Sequence, residues 1–161
     1  MWALILLKLA DLIEEHTEEL AQLESLDTGH PIRDSRRLDV PRTAACFRYF
    51  GGIADKIEGS VIPVESGFLN YVLREPIGVV GQIVPWNFPL MFTSWKLGPA
   101  LAAGNTVVLK PSELTPLSTL KIAELIKKAG FPDGVVNVVA GYGHTAGQRL
   151  AEHEDVGKIA F

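Results

Sequence analysis

Cysteine is almost absent from these 161 residues: Cys46 is the only one. That excludes an intrachain disulfide framework and suits a reducing compartment such as the cytoplasm. An excess of positive charge is missing too. Fifteen Lys and Arg face 19 Asp and Glu, a formal net charge of −4, which leaves no electrostatic footprint for nucleic acid. No stretch approaches the roughly 20 apolar residues that a membrane span needs. The apolar start, Trp2 to Leu7, runs into Lys8, Asp11, Glu14 and Glu15. It has neither the basic leader nor the cleavage site of a signal peptide, and reads as an amphipathic helix. His16, His30, His144 and His153 show no metal-ligand spacing and no cysteine partner. They read as surface residues, and no metal site is expected. Cys46 sits among Ala45, Phe47 and Phe50 on a helical pattern, the setting of a small buried apolar residue rather than a nucleophile.

What is present is enough apolar material, 47% of residues, to rule out a disordered chain. It falls into three regions. In residues 1–58, helical spacing predicts a helix over 3–15. A second starts at Thr17 as N-cap, with Glu18 and Glu19 in its first turn, and stops near Gly29 and Pro31. A third covers 33–56, bent or broken at Pro41 and weakened at Gly51-Gly52. Residues 59–77 change character. Val61, Ile62 and Val64, then Phe68, Leu69, Tyr71, Val72 and Leu73, flank Ser66-Gly67 as a β-hairpin arm. Such an arm is marginal alone, so it is expected to pack on something else, such as another subunit.

From Gly78 to Phe161 the pattern is β-α-β-α-β-α-β. Strands are predicted at 79–84, 106–109, 135–140 and 158–161, and helices at 90–103, 116–129 and 145–154. The alternation predicts an α/β fold with a parallel sheet, right-handed crossovers and helices on both faces. Helix 90–103 is apolar nearly all round, kinked at Pro99 and capped by Gly104. Thr115 with Pro116 should open the next helix, and the capping box Thr145-x-x-Gln148 the last. The final strand ends at Phe161 without turn or cap, so the chain is expected to be part of a larger protein.

Three constellations could carry chemistry, each after the carboxyl end of a strand, where open α/β sheets bind ligands. In Pro85-Trp86-Asn87-Phe88-Pro89, two prolines stiffen a loop around one amide side chain. Asn87 could donate to a developing oxyanion, or could close its own turn. In Lys110-Pro111-Ser112-Glu113, a lysine and a carboxylate could hold ribose hydroxyls, or form an exposed ion pair. Gly141-Tyr142-Gly143-His144-Thr145-Ala146-Gly147 has the context of a dinucleotide loop. Its spacing, GxGxxxG, is one residue too long, so a tight turn that needs glycine competes with a cofactor role.

These motifs, together with Lys96-Leu97-Gly98-Pro99-Ala100-Leu101-Ala102-Ala103-Gly104-Asn105 and Gly130-Phe131-Pro132-Asp133-Gly134-Val135-Val136-Asn137, resemble the aldehyde dehydrogenase superfamily in order and length. The resemblance extends over residues 1–77 as well. It implies an amino-terminal helical segment (1–58), an oligomerisation arm (59–77) and a partial Rossmann-like domain that binds NAD, or NADP (78–161). It implies an enzyme that oxidises an aldehyde to a carboxylic acid through a thiohemiacetal on a cysteine. Asn87 would donate to its oxyanion. Val84, Pro85 and Trp86 would line the nicotinamide side, Lys110, Ser112 and Glu113 the adenosine ribose, and Gly143 and Gly147 the approach to adenine. The family's nucleophilic cysteine, general-base glutamate and pyrophosphate loop have no match among the 161 residues. The chain is therefore expected to be a fragment, inactive alone. Two other readings are a non-catalytic product that associates with full-length subunits through the arm and the open sheet edge, and a weak nucleotide-binding module.

Overall fold

A computed structural model of the chain describes residues 2–161. Four helical segments come first: α1 (Trp2–Glu15), α2 (Thr17–Thr28), a short α3 (Ile32–Asp34) and α4 (Val40–Ile53). Gly29, at φ 77°, ends α2 in the left-handed conformation expected there. Between α3 and α4 the helix widens into a π turn, Ser35–Asp39. Val40 N–H reaches back five residues to Ser35 O. Pro41 has no N–H to offer, so the ladder is already irregular where it enters α4. Pro41 therefore distorts this helix without ending it.

The arm is a hairpin of β1 (Ser60–Ile62) and β2 (Asn70–Val72), paired antiparallel with Val61 opposite Tyr71. Asn105 ties its exit to the next domain. Its Oδ1 accepts from Ile77 N at 2.7 Å and Gly78 N at 3.2 Å, while its Nδ2 donates to Ala100 O. Next come β3 (Val79–Ile83), α5 (Pro89–Ala102), β4 (Thr106–Lys110), α6 (Leu117–Ala129) and β5 (Val136–Val138). A π turn (Gly143–Gly147) then leads into a short α7 (Gln148–Ala151) and β6 (Lys158–Ala160). The sheet is parallel, in the order β5-β4-β3-β6. The chain steps outward from β3 to β5, then returns to β3's other side, so β3 stands at the topological switch point.

Helices cover both faces, as predicted. Val107 and Leu109 join Leu97 and Leu101 of α5 and Ile122 and Leu125 of α6 in one core, which also takes in Leu6, Leu9 and Phe47. On the opposite face, Gly81 leaves room for Leu150 of α7 and Ile159; a Cβ there would lie 2.5 Å from the Ile159 side chain. Gly98 performs the same service where α5 crosses α4, a Cβ there being 2.6 Å from the Phe50 ring.

The three predicted threonine caps are not formed. Each hydroxyl donates to a carbonyl instead: Thr17 to Glu14 O, Thr115 to Trp86 O and Thr145 to Tyr142 O. Helix α6 is capped from across the fold, Leu117 N–H donating to Asp27 Oδ2 at 2.7 Å. The last predicted helix is a π turn plus one helical turn, and Gln148 pairs with Glu152 rather than closing a capping box. Helix α5 is less covered than its composition predicts, since Trp95 is half exposed.

Candidate active site

Strand β3 delivers the first loop. Val84 is buried in the core and its N–H bonds to Lys110 O at 3.0 Å. Pro85 and Trp86 then leave the sheet, both exposed. Thr115 Oγ1 donates to Trp86 O at 3.2 Å, so two hydrogen bonds lash the loop after β3 to the loop after β4. Asn87 is half-buried, and its side chain makes no hydrogen bond among the described residues. It does not close its own turn. Its two N–H donors stay available, held beside the start of α5 by Phe88 O, which accepts from Phe92 N–H.

Strand β4 delivers the second loop. Lys110 is almost fully buried, and its Nζ donates to Glu113 Oε2 at 2.7 Å. The other oxygen of Glu113 accepts from Gly143 N–H at 3.4 Å. The ammonium of Lys110 holds the Glu113 carboxyl down, to about 2, with backbone N–H groups helping. Ser112 spends its hydroxyl on Leu114 N–H, shaping the turn. Thus Lys110, Glu113 and Gly143, 30 residues apart in part, meet as one unit. Because the folded-state value of Glu113 is depressed, its contribution to stability is present above the ordinary 4.5 and disappears as pH falls towards 2. Urea midpoints followed across that window should fall with acid, and Glu113→Gln should remove that part of the fall. An unchanged acid limb in the variant would argue against the pairing.

Neither Gly143 nor Gly147 needs to be glycine for the turn itself. Their φ angles are not positive, and a Cβ on Gly143 would meet nothing within 4 Å. On Gly147 it would make only an ordinary contact, 3.8 Å from the Lys110 side chain. The crowded glycine is Gly141, 2.8 Å from Ala146 by the same measure. Beside this turn a cleft of about 310 Å³ opens between sheet and α7, lined by Val79, Val108, Lys110, Ala146, Arg149 and Leu150.

Two groups escape a reading of the sequence. Lys96 lines a second cavity with Gln82 and Trp95, and burial lowers its ammonium's pKa. It lies within a motif but was legible there only as helix. His30 is not a free surface residue: its Nδ1 lies 3.1 Å from Asp39 Oδ2 and its ring packs on Phe88. Nothing local marks either. Cys46 is half-buried rather than buried as expected, and burial pushes its thiol up, away from the thiolate a nucleophile requires.

The site is a pair of tied loops at the carboxyl ends of adjacent parallel strands, with an acid–lysine pair on one and an amide donor on the other. Residues 3–161 match the aldehyde dehydrogenase family, and the chain belongs to it. It is 58% identical over 157 residues to the NADP/NAD-dependent aldehyde dehydrogenase PuuC of Escherichia coli, covering 98% of this chain and 32% of that protein. It is 55% identical over the same length to the human mitochondrial aldehyde dehydrogenase, 30% of which it covers. The crystal structure of PnpE in complex with nicotinamide adenine dinucleotide superposes with a TM-score of 0.98 at 82% identity, covering 99% of this chain and 33% of that one. The chain thus spans about a third of the length of these relatives.

Proposed function

We propose that the chain supplies the ribose-binding and oxyanion-stabilising part of an NAD-dependent aldehyde dehydrogenase. The observation that carries this is the pair of loops tied together at the carboxyl ends of β3 and β4, with a free Asn87 amide on one and the Lys110–Glu113 pair on the other. The residues fit the cofactor: the acid is kept ionised to accept from ribose hydroxyls, the space over Gly143 is open, and Gly147 meets only ordinary contacts. NAD, when bound, accepts a hydride from the substrate. Glu113 and Lys110 would orient its adenosine ribose, and the exposed backbone of Pro85 and Trp86 would flank the nicotinamide side. Asn87 N–H would donate to the aldehyde oxygen as charge develops there. A carboxylate at Glu113 would repel a 2′-phosphate, which favours NAD over NADP.

Among the 161 residues, the one thiol is raised rather than activated. The purified chain, given NAD and an aldehyde, is therefore expected to form no NADH above the blank. Steady NADH production that depends on both would overturn this assignment of roles.

The arm favours a second role, in assembly. Val61, Phe68 and Leu69 are each at least 70% exposed, and both strands face solvent. A contiguous apolar hairpin of this kind is a surface for another chain. Mixed with a full-length relative such as PnpE, the chain should co-elute with it on size exclusion. Separate elution at every mixing ratio would remove this reading.

A further inference from the structure

One buried titratable cluster plays no part in the proposed chemistry. Glu24 of α2 has no exposed surface. Its Oε1 accepts from Leu90 N–H at 3.3 Å, in the first turn of α5, while its Oε2 has no hydrogen-bond partner among the described residues. His30, in the turn after α2, sits beside Asp39 of the π turn, and its ring lies 4.8 Å from that of Phe88. One side-chain oxygen or nitrogen from each of Glu24, His30 and Asp39 lies within 4.8 Å of the others. Two of these contacts end on Phe88 and Leu90, on either side of Pro89. Asn87 comes immediately before.

Two carboxylates in one buried site repel, and burial disfavours charge on Glu24. The groups facing Glu24 are Asp39 and His30 from the segment after α2, Ser118 from α6 and the Leu90 N–H from α5. Among the described residues neither Ser118 Oγ nor Glu24 Oε2 completes a hydrogen bond. Burial pushes Glu24 up to about 7 and the Asp39 charge adds to this, while Ser118, Leu90 and His30 oppose. The stability contributed by the neutral carboxyl is therefore fully present below 4.5 and lost as pH rises through about 7. Once charged, Glu24 is compensated by the Leu90 N–H and His30. A charged acceptor makes a shorter, stronger bond, and the amino end of α5 favours an anion.

We propose that Glu24 and His30 are positioning residues that set where Asn87 points, through their hold on Leu90 and Phe88, and that ionisation of Glu24 tightens this hold. This rests on Asn87 being the oxyanion donor. The test is a titration of the ¹⁵N-labelled chain between about pH 5 and 9, a window that lies above ordinary carboxyl ionisation. The Asn87 side-chain amide and Trp86 indole signals should move together with a midpoint near 7. In Glu24→Gln, which keeps the acceptor and the shape, that midpoint should vanish while the spectrum stays dispersed. His30→Asn should displace it. Signals that do not move in the parent chain, or that keep the same midpoint in Glu24→Gln, overturn the proposal. The activity of an Asn87→Ala full-length enzyme is a separate readout. Loss of turnover there without titration here overturns the positioning role alone.

Discussion

Asn87→Ala is expected to lower kcat by about 100- to 1,000-fold, the range seen when one oxyanion donor is removed, with little change in the KM for NAD. The vehicle is a full-length chimaera in which these 161 residues replace the matching third of PnpE, 82% identical over this stretch. Such a large effect is expected because of how the loop is built. Pro85 and Pro89 fix the backbone on both sides, and Thr115 and Lys110 anchor it through Trp86 O and Val84 N. The amide is then held unpaired and half-buried. A donor that needs no reorganisation contributes most where charge appears during the reaction. The ground-state carbonyl gains less from it, so the loss should fall on kcat. An Asn87→Ala chimaera as fast as its parent contradicts the role.

Phe47→Ala should destabilise the chain by about 3–5 kcal/mol, the usual penalty for emptying a fully buried aromatic site. Phe47 has no exposed surface and belongs to the core that spans α1, α4, α5, β4 and α6. The site cannot collapse easily, because α4 is fixed on both sides by close helix crossings. At Gly51, a Cβ would lie 3.2 Å from Ala3 O and from Leu7; at Gly98, one would lie 2.6 Å from Phe50. Loss of Phe47 also loosens α5, and with it the loop that presents Asn87. Urea denaturation of the two proteins measures the difference, and an unchanged midpoint would show that the helical layer does not support the sheet as described.

Much of this architecture is written in local pattern. The prolines around Asn87, the Gly and Pro stop after α2 and the apolar strands β3 and β4 each act within a few residues, and the sequence places them within a residue or two. What local pattern hides is contact over distance. Asp27 caps α6 from 90 residues away, and Glu24 reaches Leu90 across 66. Thr17, Thr115 and Thr145 have the right type and spacing for caps, yet a carbonyl lies within reach of each hydroxyl and accepts its hydrogen bond. The glycines of the last loop misled in the same way. Their spacing invites a steric reason, but only Gly141 is crowded, and the π turn that carries the other two has no short-range signature. The site was legible as three separate loops. That Glu113 joins two of them, by bonding both Lys110 and Gly143, required the fold.

The loops after β3 and β4 are proposed to form the ribose and oxyanion side of an aldehyde-oxidising site. Aldehyde-dependent NADH formation by the PnpE chimaera, compared with the same chimaera carrying Glu113→Ala, tests it most directly. An active chimaera is expected, whose KM for NAD rises when Glu113 is removed while the protein stays folded. A folded chimaera without activity, or one whose NAD dependence ignores Glu113, contradicts it.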